Sequence, residues 1–493
     1  MVTLVAGIDS STQSCKVEVR ELHTGRLIRE GRAPHPPQKI VDPEEWWQAL
    51  LLAVQRAGGL HDVSALSVSG QQHTPVFLDQ NGAVVRDSPL WNDTGSHPQV
   101  VALNSELGSG EWVRRTGLPI TLSDTVVKLR WLRDTDPEST RRTAAVAVVH
   151  DWLTWRLMGF GPGRADFSRL VTDRSEASGT GYWSGETGDY CTDLVQHALG
   201  KNVILPRLLG PLDRAGVTSP GIPGIPAGVV IGAGSGDNAA AALALQLRVG
   251  DAVMSLGTSG VVYSRSAQPV HDYSRVICSY ADATGDHLPL GATLNAARDL
   301  DAGIAVLGCD YDELSALALQ AAPGAGGLTL LPYFEGERTP DLPEATASLH
   351  GATLANFTRP NFARAVIEGM LASQVVMIEA IRACDVPVNR LLLIGGAARS
   401  PAVQQVLTEI IDVPLLLPEP GEYVTIGAAV QAGGALSGHF PDWHPVVREV
   451  PRAETSSLIM SQHRAARKAL AYDPAPPMAA VSPLDRLRNA AAS

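Results

Sequence analysis

Two stretches of this chain share one design and lie about half a chain apart. The apolar run from Leu4 to Ile8 enters the polar string Asp9-Ser10-Ser11-Thr12-Gln13-Ser14 and resumes as the alternating Cys15-Lys16-Val17-Glu18-Val19-Arg20. Ala252-Val253-Met254-Ser255-Leu256 likewise leads to a small hydroxyl-rich tip, Gly257-Thr258-Ser259-Gly260, and on to Val261-Val262-Tyr263. Strand, tight turn and strand predict a β-hairpin in each place. Recurrence at that separation predicts a duplicated architecture and excludes a short-period solenoid. The length of 493 residues agrees, because single hydrophobic cores stop growing at roughly 250–300 residues. Two domains follow, with the division near residues 240–255.

The segments between the hairpins read as helices and buried strands. Asp42 followed by Pro43, Glu44 and Glu45 is a helix start, with a cap, a first-turn proline and acids at the positive end of the dipole. Trp47, Leu50, Leu51 and Val54 continue it at helical spacing, and Gly58-Gly59 stops it. Gly228 to Asn238 predicts a buried strand, a glycine turn and the start, at Asp237, of an Ala-rich helix. Phe362, Val366 and Met370 open a long helix ending near Cys384. Leu391 to Ile394 then make a buried strand, closed by Gly395-Gly396-Ala397-Ala398-Arg399-Ser400-Pro401. After Tyr472 the Asp-Pro-Ala-Pro-Pro string and small residues predict a mobile tail.

Charge and cysteine usage exclude several functions. A formal charge of −12 offers no electrostatic footprint for nucleic acid or an anionic membrane, and no uncharged apolar stretch reaches the ~20 residues needed to span a bilayer. The five cysteines, Cys15, Cys191, Cys278, Cys309 and Cys384, are far apart and form no Cys-x-x-Cys pair. They argue against a disulfide framework or a zinc site and lead to an expected cytoplasmic location. Neither a P-loop string nor a Gly-x-Gly-x-x-Gly after a strand is present. What remains is three small-residue turns after apolar strands, at Asp9–Ser14, Gly257–Gly260 and Gly395–Ser400. Any one of these is ordinary punctuation. Three in this order suggest backbone N–H groups brought close to phosphate oxygens.

These turns belong to a longer ordered set. Asp9-Ser10-Ser11-Thr12, Ser69-Gly70-Gln71-Gln72-His73, Leu90-Trp91-Asn92-Asp93, Thr172-Asp173 with Ser178-Gly179-Thr180, and Gly236-Asp237-Asn238 come first. Ser255-Leu256-Gly257-Thr258-Ser259-Gly260, Leu331-Pro332-Tyr333 with Gly336-Glu337-Arg338-Thr339-Pro340, and Gly395-Gly396 follow. Together they resemble the FGGY carbohydrate kinases, most nearly those acting on D-xylulose. The sequence departs from the family pattern at Ser11, Thr74, Gly95 and Ala302.

The resemblance implies an α/β chain of two actin-like, ribonuclease-H-like domains with an ATP and sugar cleft between them. It implies a sugar-binding domain over 1–245, a nucleotide-binding domain over 246–445, and a C-terminal helix and tail over 446–493. The implied reaction moves the γ-phosphoryl group of ATP to the 5-hydroxyl of D-xylulose, with Mg²⁺ as cofactor. Asp237 is the implied general base and also touches the sugar. From the residues alone it could equally be a helix cap. Asp9 is expected to hold Mg²⁺ through water, against an Asx-turn alternative.

Gln72 and His73 are the expected sugar ligands, with Asn92 and Asp93 completing the pocket. Ser11, Thr12, Gly257, Thr258, Ser259, Gly395, Gly396 and Ala397 are expected to bind ATP. Arg338 is expected to pair with Glu337 at the domain junction. Kinases for ribulose, gluconate or glycerol compete with this reading, as does a catalytically silent sugar- or nucleotide-binding regulator on the same fold. Against them, Gln71–Thr74 has no cation for a gluconate carboxylate, and both Asp9 and Asp237 are present. A homodimer is compatible with the chain.

Overall fold

The computed structural model describes residues 2–470, and the tail expected after Tyr472 lies outside the described residues. Two seven-stranded sheets carry the two halves. In the first, Leu4–Ser10 pairs antiparallel with Ser14–Glu21 and parallel with Val63–Gly70. In the second, Gly250–Leu256 pairs antiparallel with Gly260–Ser264 and parallel with Val388–Ile394. The likeness extends outward. Val230–Gly232 lies parallel to Val63–Gly70 in the first sheet, and Leu415–Pro418 lies parallel to Val388–Ile394 in the second. Both expected hairpins form, and the five central strands of the two sheets follow one order.

Local chemistry accounts for the elements. All seven residues of Leu4–Ser10 are buried, as a central strand with both faces covered requires. The helix Pro43–Arg56 starts where Asp42 accepts the Glu44 N–H, and it stops before Gly58, whose φ is 81°. The long helix Arg359–Ala383 ends at Cys384 and buries Val366 and Met370 in the core that also holds Ala252 and Met254. A smaller unit sits between the strands Val63–Gly70 and Arg214–Val217, packed around Phe77, Trp112, Leu129 and Leu194.

The halves are locked by an exchange of helices. Asp237–Ala244, the last helix of the first half, packs Ala242 against Val253, Tyr263 and Leu392 of the second sheet. Tyr423–Ser437, from the second half, packs Ala429 and Ala432 against Val5 and Ala65 of the first. The approach is close enough to demand glycine. A Cβ at Gly7 would lie 1.9 Å from the Thr425 carbonyl oxygen, and one at Gly427 would lie 1.9 Å from that of Ala240.

Candidate active site

Two carboxylates meet where the halves face each other. Asp9 is 1% exposed, accepts a short hydrogen bond from the Ser11 hydroxyl, and has Lys16 Nζ 3.7 Å from its Oδ2. Asp237 is half-buried at the start of its helix. Its Oδ1 accepts from the backbone N–H of Asn238 at 2.7 Å and from the Asn238 amide at 2.8 Å. The cap position belongs to Gly236, so the helix-cap alternative for Asp237 does not hold. Burial pushes Asp237 up to about 6; Asn238 opposes the shift, and the charge of Asp9 adds to it. Asp9 also rises to about 6 through burial, against the pull of Lys16 and Ser11. Carboxyls titrating there are ionised at neutral pH yet basic enough to take a proton.

Behind Asp237 stand Gln72 and His73, the expected sugar ligands. The Gln72 side chain fills the space that a Cβ on Gly236 would need, 2.7 Å from its Cδ, and Gln72 Nε2 donates to the Ser175 carbonyl at 2.9 Å. His73 has a φ of 73°, in the left-handed region that costs a non-glycine residue energy and often marks a functional site. Its Nδ1 lies 2.6 Å from the Gly179 carbonyl. A carbonyl only accepts, so Nδ1 carries the proton and Nε2 is left as an acceptor. Burial holds His73 below the usual histidine range despite Asp124, whose Oδ1 lies 3.6 Å away. Asn92 is exposed. Asp93 is held by Lys128, which donates to its carbonyl and to Ser96 Oγ, each at 2.8 Å.

The expected nucleotide side opens as a cavity of about 840 Å³ that Asp237, Ser255, Gly395, Gly396 and Tyr423 help to line. Gly396 is exposed, and a Cβ there would meet nothing within 4 Å, so packing inside the protein does not explain its lack of a side chain. Ala397 does not join this wall; it is 7% exposed and sits in the core of the second half. Of the hairpin tips, Ser11, Thr12, Gly257 and Ser259 are half-buried and Thr258 is exposed. Thr12 Oγ1 accepts from the Trp91 indole at 2.8 Å, tying the first tip to the Trp91-Asn92-Asp93 loop.

The structure corrects one expectation and adds residues. No Glu337–Arg338 ion pair forms. The Glu337 carboxylate is taken by the backbone N–H groups of Leu294 and Arg338, at 2.6 and 2.7 Å, and by the Asn295 amide. The Arg338 guanidinium instead feels the charges of Tyr280, Cys278 and Asp124, without an ion pair to Asp124. Cations do stand near the expected sugar ligands, but Lys128 and Arg338 arrive from elsewhere in the chain, and Lys128 is 3.7 Å from the Asp93 carboxylate. Lys16 was also missed. It donates to Glu422 of the second half at 2.6 Å while standing beside Asp9. Lys16 sits on the ordinary polar phase of an alternating strand with Glu18 and Arg20, so local pattern gave no signal of its place.

Comparison with known proteins follows the same division. The description "FGGY family of carbohydrate kinases, N-terminal domain" matches residues 4–244, and its C-terminal counterpart matches residues 252–436. The chain is 40% identical over 447 residues to a xylulose kinase of Streptomyces rubiginosus, covering 89% of each chain. A xylulose kinase structure from Bifidobacterium adolescentis superimposes with a TM-score of 0.89 at 44% identity, covering 94% of this chain and 99% of that one. A gluconate kinase structure from Lactobacillus acidophilus reaches a TM-score of 0.85 at 21% identity, covering 96% of this chain and 99% of that one. At that identity the likeness concerns the fold alone.

Proposed function

The chain belongs to the FGGY family of carbohydrate kinases, and from that premise we propose that it transfers the γ-phosphoryl group of ATP to the 5-hydroxyl of D-xylulose, giving D-xylulose 5-phosphate and ADP. In this reading the division at 245/246 separates a sugar-binding from a nucleotide-binding domain. Asp237 takes the proton of the attacking hydroxyl, and Gln72, His73, Asn92 and Asp93 hold the sugar. Ser11, Thr12, Gly257, Thr258, Ser259, Gly395 and Gly396 surround the phosphates and nucleotide.

The observation that carries the choice of a neutral sugar is the charge balance around His73. Lys128 stands 3.7 Å from the Asp93 carboxylate, the charge of Asp124 acts on both His73 and Arg338, and His73 itself is held neutral by burial. An acid sugar would bring an uncompensated carboxylate next to Asp237, and burying like charges together is unfavourable. Relatives at 40–44% identity that act on xylulose support the same choice.

Asp9 suits Mg²⁺ held through water. It is a buried carboxylate whose nearest cation stands 3.7 Å away, and its raised pKa marks incomplete compensation. When bound, the ion neutralises charge on the transferring phosphoryl group.

Steady-state kinetics with D-xylulose, D-ribulose, gluconate and glycerol test the proposal. D-xylulose should have the highest kcat/KM, with glycerol lower by about 100-fold or more because it leaves hydroxyl-bonding groups unpaired, and gluconate lower because its carboxylate would be buried beside Asp237. A higher value for gluconate or glycerol would overturn the reading. D-ribulose in first place would keep the neutral-ketose pocket and correct the sugar.

A further inference from the structure

The Thr172-Asp173 string has no part in the site described so far, yet it lies directly behind it. Asp173 ends the strand Val171–Asp173 and accepts from three donors: the Ser175 N–H at 2.8 Å, the Ser175 hydroxyl at 2.6 Å and the Glu176 N–H at 3.0 Å. The other side of Asp173 is met by His150 Nε2 at 3.3 Å, and His150 Nδ1 lies 2.8 Å from Asp151. His150 and Ser175 are both fully buried.

Ser175 makes two further bonds, one from each of its oxygens. Its hydroxyl oxygen accepts the Gly236 N–H at 2.9 Å, and its carbonyl accepts the Gln72 amide at 2.9 Å. Because the hydroxyl proton is committed to Asp173, a lone pair is left facing Gly236. One buried residue thus holds both the turn that bears Asp237 and the side chain expected to bind sugar.

We propose that Ser175 is a positioning residue that fixes the Asp237 turn and the Gln72 amide as one rigid unit, with Asp173 and His150 orienting its hydroxyl. The inference rests on the reading of Asp237 as the base. A base displaced by about 1 Å can lose on the order of 100-fold in rate, and a buried N–H left without its acceptor drives such a shift.

The two oxygens make the proposal separable from a general structural role. Ser175→Ala removes the hydroxyl bond to Gly236 but keeps the carbonyl bond to Gln72. Turnover of the full chain with Mg-ATP and D-xylulose should therefore fall about 10- to 100-fold, while the KM for D-xylulose stays within about threefold. Asp173→Ala is the second variant. It removes the carboxylate that takes the Ser175 hydroxyl proton, so the hydroxyl is no longer held with its lone pair toward Gly236, and the same split is expected.

Turnover of folded Ser175→Ala within about twofold of the parent, or equal losses in kcat and in sugar binding, would overturn the proposal. Failure of both variants to fold would assign the segment to the core and overturn it as well. Asp237→Asn, assayed alongside, separates the two readings. If it is inactive while Ser175→Ala is normal, only the positioning role falls. If it keeps turnover within about tenfold of the parent, the base assignment itself has failed.

Discussion

At Asp237, function and stability oppose each other. Its pKa is raised from 3.8 to about 6 by burial, so between about pH 4 and 6 the folded chain binds more protons at this group than the unfolded chain does. Stability from this group is thus complete below about pH 4 and is lost as pH rises through 6. Asp237→Asn removes the ionisable group. It should nearly abolish phosphoryl transfer yet raise stability at pH 7 by about 1–2 kcal/mol, with no gain below pH 4. Denaturation midpoints of parent and variant at the two pH values check this, and a lower midpoint for the variant at pH 7 would contradict it. In the parent, kcat/KM should fall below about pH 6 as Asp237 protonates.

At the level of elements, the exchanged helices set the geometry of the cleft. Asp237–Ala244 and Tyr423–Ser437 cross with Gly427 against the backbone of Ala240, and a backbone carbonyl cannot turn aside as a side chain can. Gly427→Ala should therefore cost about 3 kcal/mol or more, near the upper end for overpacking. It should also reduce turnover, because the displaced helix carries Asp237. Thermal denaturation and steady-state rates together read both effects. A variant with parental melting temperature would mean that the contact relaxes without strain. The exposed Gly396 is the contrasting case, since its open surroundings suit close approach of a ligand to the backbone.

For the whole molecule, the residues proposed to bind ligands come from both halves. Gln72 and His73 belong to the first half, Gly395 and Gly396 to the second, and Asp237 stands on the helix between them. Lys16 already bridges the gap to Glu422 through a half-exposed contact that a change in domain angle would alter. Drawing the halves together excludes water, which otherwise competes as phosphoryl acceptor. Small-angle scattering should report a smaller radius of gyration with D-xylulose and a non-hydrolysable ATP analogue than without ligands. An unchanged radius at saturation of both would remove closure from the mechanism.

Much of this architecture was written locally. Apolar runs broken by small polar tips determined both hairpins, the Asp42 cap and the glycine pair determined the helix Pro43–Arg56, and a glycine turn before an alanine-rich run placed Asp237 at a helix start. Gln72, His73 and Asp9 stood out only through the resemblance of their ordered strings to a known family, since turn chemistry by itself makes Asp9 an Asx-turn residue. The tertiary structure alone brought Lys128 to Asp93, Asp124 to His73, Glu422 to Lys16, and Ser175 to both Gly236 and Gln72. It also turned Arg338 away from Glu337, because backbone N–H groups had already satisfied that carboxylate. Contacts between residues so far apart depend on how two sheets and two exchanged helices pack, and no short-range pattern of residue types encodes that.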